Sequence, residues 1–232
     1  MDALASIDWG VMFRPEYRAM LLKGIQNTLG LTFGAIVGGL LLGVLVALCR
    51  LAPSRWIRLP ATAYVEFVRT IPLLVHVMFW YFAVPEMLPE GVKRWLYQYD
   101  VGFCTALVAL VIYASAFVSE DIRSGIRSLP QGQVEAAHSL GFGFLDTFRL
   151  VVLPQAMRAI VPPLLGQAMN ITKNTTVALM VGVSELAYVT RAVNDASFLS
   201  AGVYAFTTFF FLSIAIVLTG LGRWYRRRFP AR

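Results

Sequence analysis

Charged side chains are scarce in this chain. Asp, Glu, Lys and Arg make up 14% of its 232 residues, against about a quarter in an ordinary soluble domain, too few to cover a surface that meets water on all sides. Lysine occurs only at Lys23, Lys93 and Lys173, and none follows a glycine, which excludes the Gly-Lys-Ser/Thr cradle of a phosphate-binding loop. There are two histidines and no HExxH or GxSxG pattern, so hydrolytic metal and serine-nucleophile chemistry lack their residues. Cys49 and Cys104 stand alone, in or beside apolar runs and with no CxxC pair. They read as small apolar fillers. Met1–Gly10 carries Asp2 and Asp8 without a basic start, and the first apolar run is too long for a signal-peptide core, so no cleaved leader is expected.

What the chain has instead is apolar length. Hydrophobic residues make up 58%, with mean hydropathy +0.67. Gly24–Leu48 and Val101–Ser119 hold no charge at all, and each can cross a hydrocarbon core of about 30 Å at about 1.5 Å per residue. Hydropathy places five spans, at roughly 24–48, 60–84, 101–118, 160–182 and 202–221, within one transmembrane domain covering 1–232. The expected class is all-α integral membrane.

The net charge of +7 does not point to nucleic acid, because the basic residues gather at the ends of apolar blocks. Arg50, Arg55 and Arg58 follow the first span, Arg123, Arg127, Arg149 and Arg158 the third, and Arg223, Arg226, Arg227, Arg228 and Arg232 the fifth. The other connections balance acids against bases. The positive-inside rule gives an outer N-terminus and a cytoplasmic C-terminus in an inner (plasma) membrane, consistent with an odd number of spans.

The connection 120–159 is the long one, and its apolar residues suit short amphipathic helices. Leu129-Pro130 starts a helix, Ala136 and Ala137 are small enough for another surface to approach closely, and Gly141 breaks the helix. Phe142–Phe148 forms a second short helix, and Pro154 leads into the fourth span. Such a hairpin is a rigid knob on the membrane face.

Its pattern, Glu135-Ala136-Ala137, three residues, Gly141, nine residues, then Val151-Val152-Leu153-Pro154, resembles the EAA loop of binding-protein-dependent ABC importers, with Val151 where Ile is usual. Tyr64–Leu74 is similar to the second-span motif of polar-amino-acid permeases, with His76 at a position usually held by Gln. Asn174–Leu179 and Val183–Leu186 resemble the fourth span and the segment after it. Trp80-Tyr81-Phe82, Pro85–Pro89 and Ile7-Asp8-Trp9 look most like glutamate/aspartate permeases.

The resemblance implies a type I importer permease paired with a second permease, identical or paralogous. It also implies a dimer of ATP-binding subunits that hold ATP and Mg, with no cofactor on this chain, and an external substrate-binding protein. The coupling segment would centre on Leu140–Asp146, with Glu135, Ala136, Ala137, Leu140, Gly141, Phe142, Asp146, Leu153 and Pro154 contributing. The outer segments 1–23, 85–100 and 184–201 would receive the binding protein.

Ionisable groups within spans mark polar paths or internal pairs. Glu66 and Arg69, three residues apart, share a helix face and can pair or meet substrate. His76 can donate to a substrate carboxylate or to a neighbouring helix. Lys173 sits in Asn170-Ile171-Thr172-Lys173-Asn174-Thr175-Thr176, a polar patch of weak helix formers whose amides and hydroxyls suit an amino acid, an anionic one best. The alternative is polar glue between subunits. Pro72 and Pro162-Pro163 are expected to bend their spans. Two rivals are weaker. An ion-driven carrier using Glu66 and His76 would usually have internal repeats, which are missing here, and a membrane scaffold has no use for a mid-span polar patch.

Overall fold

The computed structural model describes residues 8–230, which leaves Asp2, Ile7 and Arg232 outside the described residues. Among the described residues a 3₁₀ turn at Val11–Phe13 precedes nine longer helical stretches: α1 (Pro15–Leu51), α2 (Arg55–Thr70), α3 (Leu73–Met87), α4 (Glu90–Leu96), α5 (Val101–Arg127), α6 (Gln131–Ser139), α7 (Phe144–Val181), α8 (Leu186–Ser197) and α9 (Ser200–Arg228). No strand occurs among the described residues. Helices α1, α5, α7 and α9 are each long and apolar enough to cross a membrane, and α2 with α3 makes a fifth candidate bent by 103°.

The direction of packing decides how that bent pair counts. Along α1, Gly30, Gly34, Gly38 and Gly43 meet Phe103, Leu107, Val111 and Val118 of α5 in the same order, so the two helices run parallel. Parallel neighbours require one crossing between them, which α2 and α3 supply together. Helix α7 returns antiparallel to α5, with Gly102 beside Val181 and Gly125 beside Ile160. Helix α9 returns antiparallel to α7, with Gly222 nearest Leu165.

The glycine row of α1 is a true contact face. A Cβ on Gly39 would lie 2.6 Å from that of Ala114, and one on Gly43 2.6 Å from a Val118 methyl. Missing side chains let the backbones approach, which is how helices gain dispersion contact when lipid is as apolar as they are. The core beside this seam is correspondingly small-grained, with Leu31, Ala35, Val77, Ala106, Ala109 and Ala178. At the far end of α1 and α5, buried Arg50 donates to Glu120 at 2.6 Å, and Arg123 bonds the other carboxylate oxygen. The Tyr64 hydroxyl bonds Ser115, holding α2 on α5.

The second span departs from the expected run at 60–84. Its first half begins at Arg55, and Ile71-Pro72 ends it in extended backbone. The fourth span departs further, because the helix begins at Phe144 rather than near 160, and Pro154 lies inside it. Proline at 154 cannot donate to the Leu150 carbonyl and crowds it. The π-helical widening over Thr147–Val152, just before, lets the helix continue. Pro162-Pro163 lies inside a helix that continues through it without a break.

Candidate functional site

The loop reading at 120–159 resolves into helix almost throughout. Helix α5 runs on to Arg127, Pro130 caps the start of α6, and only 128–130 and 140–143 lack helical structure. Gly141 has φ +85°, the left-handed conformation that glycine adopts without a Cβ penalty. The Phe142 amide donates to the Ala137 carbonyl and the Gly141 amide to that of His138, so two orphan carbonyls of α6 are satisfied in a Schellman turn. His138 Nδ1 lies 3.1 Å from the Phe142 carbonyl, tightening the corner. Helix α6 packs back on Thr147–Val152. Ala137 is buried while Ala136 and Glu135 are exposed, so only one of the two alanines faces outward.

At the corner Leu140, Phe144 and Leu145 are 76%, 82% and 71% exposed, with Asp146 also exposed beside them. Three bare apolar side chains on a stapled turn form a surface that gains by being covered. Phe142 is at the margin, Leu153 and Pro154 are exposed further along, and the second helix expected at Phe142–Phe148 is, from Phe144 on, the opening of α7 and not a separate helix.

Mid-span, the structure divides the expected polar residues into two groups. Asn170, Lys173 and Asn174 line a cavity of about 330 Å³ between α5 and α7, together with Tyr113, Phe117 and Gln167. Lys173 and Thr176 also line a wider hollow of about 590 Å³ between α7, α8 and α9, whose other polar groups include Thr190, Tyr204, Thr207 and Thr208. Lys173 therefore lines both cavities. The helix changes here from α to the tighter 3₁₀ form at Thr175 and ends at Gly182, φ +78°.

Four expected members are not among these lining residues. Thr175 is fully buried, its hydroxyl donated to the Thr172 carbonyl at 2.8 Å. His76 is buried, with Nε2 3.1 Å from the Val68 carbonyl and its ring edge-on to Tyr113. The cause is local: the amide that would bond Val68 belongs to Pro72, which has none, and the imidazole N–H takes its place. Glu66 and Arg69 make no ion pair with each other. The Arg69 guanidinium lies 5.3 Å from the centre of the ring of Phe117, a side chain that lines the first cavity.

Sequence reasoning missed Tyr113, Phe117 and Gln167. The signal was available: Gln167, Asn170 and Asn174 follow helical spacing on one face of an apolar span. The threonines Thr207 and Thr208 gave only a faint signal inside an apolar run. Among the described residues no cluster of His, Cys, Asp and Glu could hold a metal ion.

Beyond the cavities, Glu185 caps α8. Its carboxylate oxygens accept the Ala187 and Tyr188 amides at 2.9 and 2.7 Å, yet the side chain is fully buried. Burial disfavours the charge more than the two N–H bonds favour it, and pushes the carboxyl up to about 7. Asn27 donates to the Ser184 carbonyl and the Leu186 amide to Thr28, both at 2.9 Å, so this junction is tied to the start of α1.

A polytopic helical membrane protein with a stapled apolar corner on one face and a lysine-centred polar cavity within its spans has the build of a permease subunit. Residues 39–230 match the family described as the binding-protein-dependent transport system inner membrane component, and the chain belongs to that family. It is a transport subunit of the ABC importer class, in which ATP hydrolysis resides in a separate subunit.

Among curated relatives, the chain is 37% identical to the probable glutamine ABC transporter permease protein GlnM of Bacillus subtilis, over 87% of this chain and 89% of that one. It is 32% identical to each of two glutamate/aspartate import permease proteins of Escherichia coli O6:H1. GltJ is matched over 92% of this chain and 89% of its own length, and GltK over 90% and 92%. A crystal structure of an amino acid ABC transporter with histidines superposes with a TM-score of 0.81 at 28% identity, over 96% of this chain and 99% of that one. The ion-driven carrier finds no support in these likenesses.

Proposed function

We propose that the chain is the membrane half of an importer for polar amino acids, of the glutamate/aspartate kind. A single transmembrane domain spans 1–232, with the N-terminus outside, the C-terminus in the cytoplasm, and the loop 120–159 on the cytoplasmic side. The observation that carries the reading is Lys173, a cation lining two mid-span cavities, one with the amides of Gln167, Asn170 and Asn174, the other with threonine and tyrosine hydroxyls among apolar side chains. A cation on a membrane-spanning segment attracts a carboxylate, and the likeness to GltJ and GltK points the same way. Substrate would be held by Lys173, Asn170, Asn174 and Thr176, with Arg69 beside Phe117 and Glu66 on the same helix.

Two permeases, identical or paralogous, pair in the assembly. Leu140, Phe144, Leu145 and Asp146 dock in a groove of an ATPase subunit that holds ATP and Mg, with Glu135 and Ala136 alongside, while Gly141, Phe142, Leu153 and Pro154 fix the corner. A substrate-binding protein meets the opposite face, around 85–100 and 184–201. When the ATPases close, the two corners move together and the spans rock about the cavities.

Co-purification with the candidate ATPase tests the coupling. Gly141→Asp, strained at φ +85°, and Glu135→Lys are expected to lose the ATPase while the permease stays folded. Equal retention by wild type and both variants would sink the docking claim.

A further inference from the structure

A second hollow lies away from the polar cavities, on the inner halves of α7 and α9. The two helices touch at its ends, where the Tyr225 hydroxyl lies 3.4 Å from the Met157 carbonyl and the Thr219 hydroxyl 4.0 Å from the Met169 sulfur. Between those contacts Pro162, Gly166 and Gly222 leave a groove of about 130 Å³. That is close to the roughly 150 Å³ of an apolar cavity that takes up benzene. A Cβ on Gly166 would meet nothing within 4 Å, so the space is open and not a collapsed seam.

One end of the groove is apolar, at Met169 and Leu218, and the other carries Arg226. The Arg226 guanidinium folds back over Gly222, about 4.0 Å from where its Cβ would stand. Arg223, Arg227 and Arg228 surround it, and none of the four has an acidic partner among the described residues. Trp224, 60% exposed, sits in the same turn, a residue favoured at the level of lipid headgroups.

We propose that this groove is a binding site for one anionic phospholipid. An acyl chain lies between α7 and α9 from Gly222 towards Met169, and the phosphate rests on Arg226. Charge complementarity selects this occupant. An apolar slot ending in an unpaired guanidinium fits a hydrocarbon tail with an anionic head, whereas a second copy of α7 or α9 would bring apolar side chains or further arginines against it.

The test places the full-length chain in phosphatidylcholine nanodiscs doped with a photoactivatable phosphatidylglycerol, and maps the labelled peptides. Both leaflets have the same composition, so the result does not depend on the orientation proposed above. Labelling is expected on 162–169 and 218–226, displaced by unlabelled phosphatidylglycerol but not by phosphatidylcholine. Arg226→Gln is expected to lower it about fivefold, the change equivalent to ~1 kcal/mol. Gly166→Leu, whose Cβ would meet nothing within 4 Å, should occupy the slot and lower labelling similarly, while Arg228→Gln, whose guanidinium rests against Phe229, should change it little. Equal labelling in all variants, or equal displacement by phosphatidylcholine, would overturn the proposal. So would a disulfide between two copies carrying Gly166→Cys, since a protein partner would then occupy the groove.

Discussion

The seam between α1 and α5 and the pairing of α7 with α9 are both helix packings lined with glycine, and they use it in opposite ways. In the first, Gly34, Gly38, Gly39 and Gly43 face neighbours at distances no Cβ could share, and half of the apolar window of α5 is buried within the chain. In the second, Gly166 and Gly220 face open space, and only 11% of either apolar window is covered. Glycine in a membrane helix therefore says nothing by itself; the group facing it decides. The tight pair is a frame. The loose pair borders the cavities around Lys173, and motion between its helices costs little packing. That division suits a subunit that must hold one shape while reshaping a path.

Changes at the frame should have the largest effects. Arg50→Ala leaves Glu120 without its buried partner and is expected to cost about 3 kcal/mol, seen as a fall in unfolding temperature in detergent. An unchanged temperature would mean that α1 and α5 are not locked at that end. Next comes Glu185, where the frame meets the looser half. Its carboxyl stands at about 7 in the folded chain against an ordinary value near 4.5. Below about 4.5 both folded and unfolded states hold the proton. Between there and about 7 only the folded state does, so stability falls as pH rises, and the loss is complete above 7. Glu185→Gln removes that loss. Its advantage over wild type should grow from nothing at about pH 4.5 to at most ~3 kcal/mol at about pH 8. An advantage independent of pH would refute the buried-acid account.

A smaller contrast sets the two glycine faces directly against each other. Gly39→Leu overpacks the seam and should cost about 1–3 kcal/mol, while Gly166→Leu should change stability by less than ~0.5 kcal/mol. Thermal unfolding of the pair measures both, and equal losses would erase the distinction. Smaller still in energy is Lys173→Gln, expected to lower uptake of an acidic amino acid about tenfold, or ~1.4 kcal/mol, with no effect on unfolding. A loss of folding instead would favour polar glue.

The features legible in the sequence were local. Gly141 needed a turn and Pro72 a bend, each within one or two turns of helix. Those that were not legible depended on partners far along the chain. Arg50 meets Glu120 across seventy positions, and Arg69 left its neighbour Glu66 for the ring of Phe117. His76 read as a possible substrate contact because its residue type suits one. The carbonyl it serves became visible only once the break at Pro72 had a shape. The cavity walls were partly readable on α7, where polar spacing is regular, and not on α9, where Thr207 and Thr208 differ little from helix-tolerated polar residues elsewhere.

The most direct test of the account is uptake into proteoliposomes holding the whole assembly, with the binding protein outside and ATP inside. The account predicts glutamate or aspartate accumulation that requires both ATP and binding protein and is abolished by Gly141→Asp in a folded permease. Uptake driven by a proton or sodium gradient without ATP, and indifferent to Gly141→Asp, would contradict it.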